Sequence, residues 1–233
     1  MRGIYLVGNY PDRDTFVRCF DAVISAGYEF AEIGVPFSEP VADGPVIASA
    51  VQEALDSGVK ARDVLAGIRE LKKGSAKLYV MTYANIIYNY GLEKFSADFK
   101  DLLDGVIIPD LPNDFHKFFY DKGFDVPVVP FVTPESRVED IRKAAEGNAE
   151  FIYFIGIRGI TGGSVDLSSP EITERVKQIK SITDKKIVMG FGIKTREDAD
   201  KAMKTADGFV VGTAAVLLQK EPAKYAEYVK SLV

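Results

Sequence analysis

Eight short apolar runs recur along the chain, each ended by a turn and followed by a helix-forming stretch. The runs are Ile4–Val7, Phe30–Ile33, Leu78–Met81, Val106–Ile108, Val126–Phe131, Phe151–Ile155, Ile187–Met189 and Gly208–Val211. They are continuous and rich in β-branched or aromatic residues, the pattern of strands buried on both faces. Between them lie apolar positions at helical spacing, such as Val17, Phe20 and Ile24, or Val46, Ile47, Ala50, Val51 and Ala54; residues 82–91 read as an aromatic loop, and one last helix to Leu232 follows the eighth run. Eight such units in 233 residues meet the requirement of a (β/α)8 barrel. No linker, charge block or low-complexity stretch divides them, so residues 1–233 are expected to form one domain. A doubly wound open sheet is the alternative, but no Gly-x-Gly-x-x-Gly fingerprint follows a strand.

Composition removes several classes of function. With 29 basic and 34 acidic residues the net charge is −5, which gives no reason to expect nucleic acid or an anionic membrane. Cys19 and His116 are each the sole residue of their type, so a Cys/His metal centre and a disulfide are not expected. Cys19 is expected in the core and His116 at the surface. No run approaches the ~18 apolar residues of a transmembrane helix, and the first residues are not expected to form a signal peptide. A cytoplasmic globular protein is the expectation.

The chemistry-bearing residues fall at strand ends, the active face of a parallel barrel. Glu32 lies inside the second apolar run, where an ionised carboxylate is costly to bury. Apolar neighbours would raise its pKa toward the range suited to proton transfer; a strand-end Glu paired with Lys or Arg is the equal alternative. Asp43 ends a loop rich in Gly and Pro. It can accept a hydrogen bond from a substrate N–H or, as the local sequence favours, cap the helix that opens at Pro45. Tyr153 can aim its hydroxyl into the barrel mouth or pack as core. Asp110 fits a turn after strand four. Tyr5, Tyr83 and Phe191 can wall an apolar pocket for a flat ring. Thr161-Gly162-Gly163, Gly190-Phe191-Gly192 and Gly212-Thr213 follow strands six, seven and eight. Gly lets backbone N–H groups approach an anion, so these three converging loops predict a phosphate site.

These stretches resemble the tryptophan synthase alpha subunit. FAEIGVPFSEPVADGP at 30–45 is similar to that family's signature almost without a break. MTYANIIYNYG at 81–91, GITGG at 159–163, GFGI at 190–193 and VVGTAAV at 210–216 follow in the family's order. The resemblance implies cleavage of indole-3-glycerol phosphate to indole and glyceraldehyde 3-phosphate in tryptophan biosynthesis. It implies no cofactor in this subunit, and docking on a pyridoxal-phosphate beta subunit that receives the indole, in an alpha2-beta2 assembly. By position it implies that Glu32, Asp43 and Tyr153 are catalytic. It places Gly162, Gly192, Gly212 and Thr213 at the phosphate, and Tyr5, Met81 and Phe191 in the indole pocket. The chain departs from the family pattern in three places. Gly156-Ile157 stands where Ser-Arg is usual, with Arg158 one place late, Glu39 stands for Asp, and Thr213 for Ser. Two other readings stay open, a different phosphate-binding barrel enzyme such as an isomerase or prenyltransferase, and a non-enzymatic subunit that activates a partner.

Overall fold

The computed structural model describes residues 1–156 and 169–233. In chain order its elements are β1 (Arg2–Val7), α1 (Arg13–Ser25), β2 (Phe30–Gly34), α2 (Pro45–Asp56), α3 (Ala61–Ile68), β3 (Lys77–Met81), α4 (Ala84–Tyr90), α5 (Leu92–Phe99) and β4 (Gly105–Ile107). They continue with α6 (Asn113–Asp121), β5 (Phe131–Val132), α7 (Val138–Glu146), β6 (Phe151–Phe154), α8 (Pro170–Lys180), β7 (Lys186–Met189), α9 (Arg196–Thr205), β8 (Gly208–Val211), α10 (Thr213–Val216) and α11 (Pro222–Ser231).

The eight strands form one sheet in the order β4-β3-β2-β1-β8-β7-β6-β5. Every ladder is parallel. A bridge between Val106 and Val128 closes the ring. There the Val106 N–H donates to the Pro127 carbonyl and the Val129 N–H donates to that of Val106, both at 2.8 Å. The expected (β/α)8 barrel is therefore the fold.

Side-chain alternation along the strands separates two apolar layers. Ile4, Leu6, Ala31, Ile33, Val80, Ile152, Phe154, Ile187 and Val211 face outward and pack beneath the helices. Tyr5, Val7, Phe30, Tyr79, Phe151, Val188 and Val210 fill the interior. The rings of Phe30, Tyr79 and Phe151 lie 5.1–5.6 Å apart and form its aromatic floor. Gly3 makes room for this floor, since a Cβ there would stand 2.2 Å from the Phe30 ring. Glu32 shares the parity of Phe30, so its side chain points inward.

Four local expectations are corrected. The fifth strand is Phe131–Val132 rather than Val126–Phe131; Pro127 and Pro130 lack the N–H that an extended ladder needs. Residues 82–91, read as a loop, contain helix α4. The last helix divides into α10 and α11, with Pro222 opening the second. His116 is buried, and burial lowers its pKa so that the ring is neutral. Cys19 lies in the core as expected.

Candidate active site

A cavity of about 410 Å³ opens at the C-terminal ends of the strands, a size suited to a small ligand. Glu32 and Asp43 both line it, together with Tyr5, Met81, Ile107, Phe131, Tyr153, Ile155, Phe191 and Gly212. Glu32 and Asp43 thus share one space with Tyr5, Met81 and Phe191, whereas Tyr83 is not among its lining residues.

Glu32 is 1% exposed. Its partner is Tyr153, whose hydroxyl donates to Oε2 at 3.4 Å. No ion pair to Glu32 occurs among the described residues, so the reading of a strand-end Glu paired with Lys or Arg is set aside. Burial pushes its pKa up to about 8; the Tyr153 hydroxyl opposes that shift and the charge of Asp43 adds to it. At neutral pH the carboxyl holds its proton.

Asp43 does not cap α2. Gly44 occupies the N-cap position without a side-chain bond, and Pro45 begins the helix. The Asp43 carboxyl turns instead toward Tyr83, whose hydroxyl donates to Oδ2 at 3.2 Å. Burial raises its pKa to about 6, moderated by that hydrogen bond. Burial thus raises both acids, Glu32 further than Asp43, which makes Glu32 the better proton donor and Asp43 the readier anion.

Three glycines seat the site's aromatic rings. A Cβ at Gly190 would stand 1.7 Å from Tyr153, one at Gly34 2.0 Å from the Tyr5 hydroxyl, and one at Gly156 2.0 Å from the Phe191 ring. Nothing in the local sequence around each glycine reveals the ring that enters from a neighbouring strand. Gly190 thus serves ring packing, not only a tight turn.

Asn113 carries a further positioning contact that sequence reading missed. Its amide Nδ2 donates to the Phe131 carbonyl at 2.7 Å, and the Phe131 N–H donates to its Oδ1 at 3.1 Å. The carboxamide pairs with β5 as a peptide group would, where the chain after β4 has left the sheet. The Phe131 ring, held in this way, packs 5.5 Å from that of Tyr153. Asp110 is more than a turn residue, since its Oδ1 accepts from the Ala84 N–H and so caps α4.

Of the four residues expected at the phosphate, Gly212 lines the cavity. Gly192 and Thr213 are not among its lining residues; they lie on the loops after β7 and β8, Gly192 with φ +74° and Thr213 opening α10. Gly162 and Arg158 lie outside the described residues. Among the described residues no group of three or more His, Cys, Asp or Glu side chains is placed to hold a metal ion. No helix among them is long and apolar enough to cross a membrane.

A (β/α)8 barrel with two carboxyl groups of raised pKa lining one cavity at the strand ends has the build of an enzyme. Residues 4–232 match the family described as tryptophan synthase alpha chain, and the chain belongs to that family. It is 37% identical over 235 residues to the tryptophan synthase alpha chain of Aquifex aeolicus, covering 98% of this chain and 90% of that one. Against the alpha chain of Thermotoga petrophila the identity is 37% over 238 residues, with 98% and 97% covered. Among solved structures it is similar to one from Aquifex aeolicus VF5 (TM-score 0.88, 34% identity, 99% of this chain and 90% of that). It is also similar to a chain of Mycobacterium tuberculosis tryptophan synthase (TM-score 0.88, 30% identity, 99% and 90%).

Proposed function

We infer that the chain is a carbon–carbon lyase that cleaves indole-3-glycerol phosphate to indole and glyceraldehyde 3-phosphate in tryptophan biosynthesis. The observation that carries this reading is the acid pair at one cavity, with Glu32 held by the Tyr153 hydroxyl and Asp43 by that of Tyr83.

In the proposed mechanism the indole ring sits among Tyr5, Met81 and Phe191. Glu32 gives its proton to ring carbon 3, and positive charge develops on the ring nitrogen. Asp43 accepts the ring N–H and stabilises that charge. The Glu32 carboxylate, close by in a dry site, then takes the proton of the hydroxyl on the carbon bonded to ring carbon 3. The bond between those carbons breaks, its electron pair returns to the ring, and the hydroxyl oxygen becomes the aldehyde oxygen. Glu32 ends protonated and the cycle is complete. Tyr153 holds Glu32 in place throughout. The phosphate, bound by Gly162, Gly192, Gly212 and Thr213, supplies orientation from a remote group.

We propose that this subunit works without a cofactor of its own. It docks on a pyridoxal-phosphate beta subunit that takes up the indole, in an alpha2-beta2 assembly in the cytoplasm. Large apolar side chains exposed after three successive strands support a partner surface. They are Val41 after β2 (76% exposed), Tyr88 after β3 (60%) and Phe115 after β4 (57%). Residues 1–233 act as one domain in this reading. The test is release of indole from indole-3-glycerol phosphate, with and without a beta subunit. Release by the isolated chain, increased by the partner, is the expected result. No release in either condition would overturn the assignment.

A further inference from the structure

Tyr83 stands between three loops of the site. It is buried at the end of β3, just before α4. Its hydroxyl donates to Asp43 Oδ2 at 3.2 Å and accepts from the Ala42 N–H at 3.3 Å. Its ring stacks on that of Phe37, with centroids 4.8 Å apart and planes 29° apart. Phe37, Ala42 and Asp43 all belong to the connection between β2 and α2, so one side chain grips that loop at both ends. The position of Tyr83 is in turn fixed by Asp110, which caps α4 through the Ala84 N–H at 2.9 Å. A side chain from the third unit, anchored by the fourth, therefore sets the conformation of the loop of the second.

We propose that Tyr83 is a positioning residue for the lyase reaction. Its hydroxyl aims the Asp43 carboxylate into the cavity, and its ring and the Ala42 contact hold the loop in the shape that keeps it there. The proposal rests on the reading of Asp43 as the group that meets the ring N–H. A carboxylate on a Pro- and Gly-rich loop has many orientations available; one donated hydrogen bond and one stacked ring remove most of them before substrate arrives, which is where preorganisation gains rate. Asp43 is faced by Tyr5 from β1, Glu32 from β2 and Tyr83 from before α4, with Asp110 acting on Tyr83 from after β4. Of these, the Tyr83 hydroxyl is the hydrogen-bond donor that favours the ionised form of Asp43.

Tyr83→Phe keeps the ring and its stacking on Phe37 and removes only the hydroxyl. The experiment compares the wild-type chain, Y83F, D43N and the double variant, measuring kcat/KM for indole-3-glycerol phosphate against pH, and the thermal midpoint of each. Y83F is expected to lower kcat/KM by about ten- to hundredfold, the range for a hydrogen bond to a charged group. Its acid limb should move to higher pH, because Asp43 loses the donor that favours its anion. In the D43N background, Y83F should change kcat/KM by less than about twofold, since residues acting as one unit are not additive. An equal loss in both backgrounds, or an unmoved acid limb, would assign Tyr83 to general loop packing and overturn the proposal. Wild-type kcat/KM in D43N would instead remove the role of Asp43, and the proposal with it.

Discussion

Glu32→Gln separates catalysis from stability in a single substitution, and the direction of each effect follows from burial. The carboxyl gives up its proton near 4.5 in the unfolded chain and at about 8 in the folded one. Between those values the folded state binds more protons than the unfolded state, so stability falls as pH rises through that window and levels off above it. With ~1.4 kcal/mol per pKa unit, the full cost approaches about 5 kcal/mol above pH 8 and is close to zero at pH 4.5. Gln keeps the shape and does not titrate, so E32Q should not carry this slope. Urea unfolding of wild type and E32Q from pH 5 to pH 9 reads the difference directly. The two are expected to converge at the acid end, with E32Q more stable by several kcal/mol at the alkaline end. On the same samples kcat for indole release should fall by about 10²–10⁴, the usual worth of a positioned acid–base group. A stability difference independent of pH would refute the buried-acid argument, and near-wild-type turnover would refute the proton-transfer role.

The remaining predictions concern the same cavity. The plot of kcat/KM against pH should be bell-shaped, lost below about 6 as Asp43 protonates and above about 8 as Glu32 ionises; a flat profile across pH 5–9 would contradict the assignment of donor and anion. Gly190→Ala places a Cβ 1.7 Å from Tyr153, so the ring must shift off Glu32. A drop in kcat of about tenfold or more is expected, on the scale of a lost hydrogen bond to a catalytic group, and unchanged kcat would show that the Tyr153–Glu32 contact is dispensable. At Gly212 the nearest atoms to an added Cβ are 3.7 Å and 4.0 Å away, which leaves room for Ala. Gly212→Ala is therefore expected to fold and to raise KM for the phosphorylated substrate with a smaller effect on kcat; an unchanged KM would put the phosphate elsewhere.

Strands buried on both faces announce themselves as unbroken apolar runs, which is why the barrel and its eight units were legible from sequence. Glu32 was legible for the same reason, as the one charge within such a run. Most of the failures have their cause in contacts made at long range. Helix α4 contains Ile86, Ile87, Tyr88 and Tyr90, residues of strand-like preference, and its N-terminal N–H is met by Asp110, 26 positions on. The partner of Asp43 is 40 positions away, so a local reading favoured a helix cap. Burial of His116 depends on how α6 lies against the barrel. Phe131 was the predicted end of strand five and became its start, since two prolines upstream cannot donate to a ladder. The glycine seats are legible only when the ring that fills each one is known.

The seam between β4 and β5 divides the cavity into walls of unequal stiffness. Glu32 sits where β1, β2 and β3 are joined by five residue pairs on each side. On the opposite flank Ile107 and Phe131 adjoin a junction held by one bridge and one side-chain amide. Few backbone hydrogen bonds mean a low local cost of opening. Glu32 is thus mounted on the rigid arc of the ring, where small displacements cost most, while the flank of Ile107 and Phe131 can yield and reclose. One circle of strands supplies both a fixed jaw and a compliant one.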